Sequence, residues 1–133
     1  MTVQLNHTIV HAKDKKESAE HLARILGLEV GPPMGPFLPV TLAGGVTLDY
    51  AEPGPDVDIH MAHYAFLVSE QEFDEIWARI KAEGLTFFAD PHGERVGEIN
   101  HNDGGRGLYW LDPSGHGMEI ITRPYGSGDA AAD

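Results

Sequence analysis

Apolar residues along this chain recur with two different periods, and the switches between them lay out its elements. Residues 3–10 alternate apolar and polar in the manner of a strand. Helical spacing takes over at 15–26, where Ala19, Leu22, Ala23 and Leu26 fall at i, i+3, i+4 and i+7. Asp14 stands where an N-cap belongs, and Gly27 where a helix stops. Short strands are expected over 28–30, 37–42 and 46–51, with Gly44-Gly45 as a hairpin turn. Glu52-Pro53-Gly54-Pro55-Asp56 reads as a turn-rich linker.

The pattern then restarts. A strand is expected over 62–68 and a helix over 71–83, with Ser69 as its N-cap and Gly84 as its stop. Phe73, Ile76, Trp77 and Ile80 make its apolar stripe, which assigns Trp77 to the core. A strand over 85–88, a long loop over 89–106, a strand over 107–111, the turn Asp112-Pro113-Ser114-Gly115 and a last strand over 118–123 follow. This is β-α-β-β-β written twice, within a single domain over 1–125. Module one covers about 3–52 and module two about 60–124. Residues 126–133 are small and polar, and are expected to form a disordered tail. The loop over 89–106 makes the second half the longer one, and loops of that length are commonly functional or mobile.

Against this pattern three polar residues stand inside strands. His7 and His63 occupy the same place in the first strand of each half, and Glu119 lies in the last strand. Such side chains are costly within a strand unless something binds them. Two imidazoles and a carboxylate can hold one divalent metal ion and leave positions open for substrate; iron, manganese, nickel and zinc all accept that set. The plainer alternative is three buried polar groups with hydrogen-bond partners.

Composition narrows the partners. The net charge of −12 argues against nucleic acid and anionic membrane surfaces, which both select basic patches. There is no cysteine, so disulfides and thiolate ligands are excluded, in keeping with a reducing cytoplasm. No apolar run reaches the roughly 18 residues of a membrane span. No basic-then-apolar leader opens the chain. A cytoplasmic protein with a small-molecule substrate is expected.

Three segments carry a likeness: Leu5-Asn6-His7, His63-Tyr64-Ala65-Phe66, and the run Gly107-Leu108-Tyr109-Trp110-Leu111-Asp112-Pro113-Ser114-Gly115-His116-Gly117-Met118-Glu119. Together they resemble the vicinal oxygen chelate superfamily, which includes glyoxalase I, extradiol dioxygenases, methylmalonyl-CoA epimerase, and fosfomycin- and bleomycin-resistance proteins. The resemblance spans about residues 3–124 and is specific for the superfamily, not for one reaction. It implies an α+β fold: two βαβββ modules forming a curled, eight-stranded mixed sheet around a metal trough, with helices on the outer face. It also implies a homodimer, as in many small members, in which His7 joins His63 and Glu119 of the partner subunit.

The same resemblance bears on other residues. Asp49 lies where glyoxalase I-like members carry a glutamate ligand, and is expected to be a ligand through water or a general base. A slip of one residue would turn it to the other face, as a solvated strand-end carboxylate. Tyr109 resembles a tyrosine lining the substrate site of fosfomycin-resistance proteins, and a phenol there can donate to a developing oxyanion; the alternative is an aromatic filling the trough. Arg106, between two glycines, can clamp a substrate carboxylate or phosphonate, or be a surface turn residue. His60 and His101 are candidate acids or bases near substrate, against simple surface positions. His116 is read as a turn stabiliser, and His11, His21 and His92 as surface residues.

The leading function is a metal-dependent enzyme that binds its substrate through two adjacent oxygens. Glyoxalase- or epimerase-like proton transfer and extradiol-type oxygenation stand together, with fosfomycin-type thiol transfer third. The competing class is metal-free drug sequestration of the bleomycin-resistance kind, which the acidity of the chain fits and its ligand triad does not.

Overall fold

The computed structural model describes residues 2–128. The order is β1 (His7–His11), α1 (Lys15–Leu26), β2 (Leu38–Thr41), β3 (Thr47–Ala51), β4 (His63–Leu67), α2 (Glu70–Ala82), β5 (Phe87–Phe88), β6 (Gly107–Leu111) and β7 (Gly117–Ile121). Short 3-10 turns occupy Ala43–Gly45 and Asn102–Gly104. The class is α+β, as expected, with the strands in two open sheets of three and four. The chain divides into two compact units: residues up to His60 with Asp112–Ser114, and residues 61–111 with those from 115 onward. No helix among the described residues is long and apolar enough to cross a membrane.

In the first unit the sheet order is β1-β3-β2, with β1 parallel to β3 and β2 antiparallel to it. The Asp14 carboxylate accepts the Glu17 N–H at the start of α1, and Gly27 ends the helix at φ 74°, a left-handed conformation that favours glycine. Val10, Ala19, Leu22, Ile25, Val40 and Tyr50 are fully buried and make the core. Ser114 belongs to this unit, where its Oγ accepts the Lys13 N–H at 3.0 Å. His21 is a correction: it is buried, not a surface residue. It stands three residues after buried Ser18 and four before buried Ile25, so the inward stripe of α1 is wider than its aliphatic residues indicate.

The strand expected over 28–30 shrinks to an isolated bridge, Val30 to Val40, so the described residues hold seven strands and not eight. Pro32, Pro33 and Pro36 follow at once and lack the N–H groups that a ladder needs. The first strand likewise starts at His7, because β3 begins its pairing there with Thr47.

In the second unit the order is β4-β7-β6-β5, with β4 parallel to β7 and the other pairs antiparallel. Ser69 and Glu72 form a reciprocal capping box at the start of α2. Phe73, Ile80, Leu108, Trp110, Met118 and Ile120 are fully buried. Trp77 lies at the margin of this core. Its ring meets Phe73 and Phe87 edge-on, Lys81 Nζ stands 4.1 Å above it, and its indole N–H is buried without a hydrogen-bond partner.

The segment over 89–106 is tied down. Asp90 accepts the N–H groups of His92, Glu94 and Arg95, the last at 2.7 Å. Those bonds, Arg95 first, hold its carboxyl below the usual carboxylate range. Buried Asn100 donates to Ala89 O at 2.8 Å, and bridges at Phe88–Val96 and Asn100–Gly107 close the segment at both ends. The tail expected to be disordered falls outside the described residues from 129 on, whereas 126–128 are described.

The two modules repeat their registers. His7 pairs with Thr47 and His63 with Gly117; two residues on, Ile9 pairs with Asp49 and Ala65 with Glu119. Asp49 is therefore the register counterpart of Glu119. Pro39, which pairs with Asp49 from β2, corresponds to Tyr109, which pairs with Glu119 from β6.

Candidate metal centre

Residues paired across a sheet point to the same face, so the registers of β4, β7 and β6 decide what Glu119 meets. Ala65 and Tyr109 flank it on the neighbouring strands, and His63 sits diagonally two residues away. The small side chain of Ala65 leaves Glu119 room on the β4 side, and His63 reaches across. Its Nε2 lies 2.8 Å from Glu119 Oε1. Gly117, opposite His63, leaves the ring its place: a β-carbon there would sit 3.1 Å from His63 Nδ1.

Glu119 is fully buried, whereas the His63 side chain is half exposed. A buried carboxylate survives only if its oxygens are partnered. Oε1 has His63, and Oε2 accepts the Tyr125 hydroxyl at 2.5 Å. That hydroxyl also lies 3.0 Å from the Tyr109 hydroxyl, and the Tyr109 ring is 5.9 Å from the His63 ring. Burial, then the bond to Tyr125 and the charge of Glu119, push the Tyr109 phenol far above its usual range. Tyr125 is pushed up as well, by desolvation of its hydroxyl end, though the rest of its side chain is exposed, and by its bond to Glu119. Both phenols are held protonated, as hydrogen-bond donors and not as bases.

Other candidates lie elsewhere. His7 opens β1 in the first unit, exposed, with Nδ1 2.7 Å from Asn6 Oδ1. Asp49 is half-buried in β3. His60 and His101 are exposed, the latter just before the Asn102–Gly104 turn. Among the described residues no three His, Cys, Asp or Glu side chains gather as a metal-holding group. His63 and Glu119 are brought together as a pair.

Arg106 is committed to α2. It donates to Glu70 Oε1 and Asp74 Oδ1, each at 2.8 Å, and to the Glu70 carbonyl, and its guanidinium lies 4.4 Å over the Phe73 ring. The bond to Asp74, then that to Glu70, raise its pKa further. His116 accepts the Ala62 N–H at 2.9 Å through Nδ1, which ties it to the start of β4. Tyr125 was missed by sequence reasoning. It sits in a Pro-Tyr-Gly-Ser turn, where no period marks a face, and its only signal is an aromatic in a small, polar stretch.

No family model matches the chain. The solved structure of the oxidase ChaP-H2 is 63% identical, with a TM-score of 0.92 over 97% of this chain and 100% of that one. The oxidase ChaP-H1 is 55% identical, with a TM-score of 0.89 over 94% and 99%. The glutathione transferase FosA of Serratia marcescens is 27% identical over 124 residues, 90% of this chain and 81% of its own. By its two modules of matching register, its closing hairpin carrying Glu119 and these relatives, the chain belongs to the vicinal oxygen chelate superfamily.

Proposed function

We propose that this chain is a metal-dependent oxidative enzyme acting on a small substrate through two adjacent oxygens, with dioxygen as oxidant. The observation that carries this reading is the fully buried Glu119 carboxylate facing His63 Nε2 at 2.8 Å. An imidazole nitrogen and a carboxylate oxygen at that separation fit the donor chemistry of a borderline divalent ion such as iron(II), manganese, nickel or zinc. The 63% identity to a protein described as an oxidase favours oxygen chemistry over isomerase chemistry. In the extradiol form both atoms of dioxygen enter the product as a carbon–carbon bond breaks, so no external reductant is consumed.

His63 and Glu119 are two ligands in this reading, and His7 of a second copy is the third. A bound iron or manganese ion would supply Lewis acidity and one-electron exchange with dioxygen. Tyr109, whose proton is given to Tyr125, orients a substrate hydroxyl by accepting its hydrogen bond. Asp49, the counterpart of Glu119 in the first module, serves as a base or an outer ligand. A homodimer accords with β1 and β4, sheet-edge strands that leave Ile9 and Leu67 uncovered.

The test is metal content of anaerobically purified protein together with oxygen uptake across a panel of catechols and enediols. Metal at one ion per chain with substrate-dependent uptake is expected; protein with neither would sink the reading. The likeness to FosA favours thiol transfer as a second reading. Glutathione consumption with fosfomycin, without oxygen uptake, would select it.

A further inference from the structure

Beyond β7 the chain turns back on itself. The Ser127 N–H donates to Pro124 O and Arg123 Nη2 to Ser127 O, each at 3.1 Å. The Gly128 N–H donates to Asp103 Oδ1 at 3.1 Å, in the Asn102–Gly104 turn. A β-carbon on Gly128 would lie 2.6 Å from Asp103 Cα, so the approach is tight. This strap presents Tyr125, whose side chain is largely exposed, with its hydroxyl on Glu119 Oε2.

A phenol has one proton to give. Tyr125 gives it to Glu119, so the 3.0 Å contact between the two hydroxyls must run from Tyr109 to Tyr125. The order Tyr109 to Tyr125 to Glu119 fills Oε2 and leaves Oε1 facing His63 Nε2.

We propose that Tyr125 is a positioning residue: it ties Glu119 through Oε2, so that the carboxylate presents Oε1 alone, beside His63 Nε2, to a divalent cation. This rests on the metal-centre reading above. A glutamate carboxylate turns freely about its last torsion, which has broad minima, and left alone it meets a cation through either oxygen or both. A donor fixed on one oxygen removes that freedom. Hydrogen-bond partners of this kind change metal affinity or activity by about 10–100-fold when removed.

The test uses cobalt(II), whose visible absorption reports the number and kind of its ligands. Unaltered protein, Tyr125→Phe, His63→Ala and a chain ended after Arg123 are titrated, with circular dichroism to check the fold. Phenylalanine keeps the ring, so Tyr125→Phe is expected to fold and to bind one cobalt per chain. Its affinity should fall about tenfold or more and its visible band should change. The shortened chain should show the same loss. Equal affinity and an equal spectrum in Tyr125→Phe, with binding abolished in His63→Ala, would overturn the inference and leave the metal centre standing. No cobalt binding by the unaltered protein would overturn both.

Discussion

The imidazole of His63 stands over Gly117, its register partner in β7, with Nδ1 only 3.1 Å from where a β-carbon would be. That missing carbon is what lets Nε2 swing to Glu119 at 2.8 Å. Adding it forces the ring to give by a few tenths of an ångström. Gly117→Ala is therefore expected to leave the fold intact and to weaken metal binding by about tenfold, the scale at which ligand orientation acts. Competitive titration with a chromogenic chelator reads the affinity. An unchanged constant would show that the ring is not held by this contact.

Removing the imidazole is the more severe change. His63→Ala should abolish metal binding while the protein stays folded, because the His63 side chain is half exposed and supports no core. Elemental analysis of both proteins checks it. Equal metal content in the two would defeat the assignment of His63 as a ligand.

Arg106 is expected to matter for stability alone. Its guanidinium lies over Phe73 and bridges Glu70 and Asp74 from the strand side of α2. Arg106→Ala should cost about 1 kcal/mol, as the cation–π contact is lost and the exposed ion pairs add little. Urea unfolding measures it. A fall in substrate affinity with no loss of stability would instead make Arg106 a substrate clamp.

Asp90 supplies a pH dependence. Its carboxyl is lowered by the N–H groups it accepts, chiefly that of Arg95. A depressed folded-state pKa stabilises above the unfolded value near 4 and loses that stabilisation as pH falls through the folded value. Asp90→Asn should thus be less stable than the unaltered protein at neutral pH, with the gap closing below about pH 4. Thermal melts across that range test it; a gap constant with pH would contradict the assignment.

The sequence made the repeat and the polar residues set inside strands legible because both rest on short periods. His7 and His63 match since each opens a module, and the matching registers make Asp49 the counterpart of Glu119. What stayed hidden depends on contacts distant in sequence. Tyr125 reaches Glu119 from a turn with no period, and Asn100 braces its loop from within a polar stretch. Arg106 looked free between two glycines because its partners lie over 30 residues away on α2. The lost eighth strand was readable in principle from Pro32, Pro33 and Pro36, but the apolar period outweighed them.

Both tryptophans, Trp77 and Trp110, belong to the second unit, and the first contains none. Intrinsic fluorescence excited at the red edge of protein absorption is thus a built-in reporter of one half of the molecule. Trp110 is fully buried, and Trp77 sits under the Lys81 ammonium. An emission change on adding metal or substrate would localise the event to the half that carries Glu119. Unfolding of the other half would pass unseen in that channel, and has to be followed by amide absorption instead.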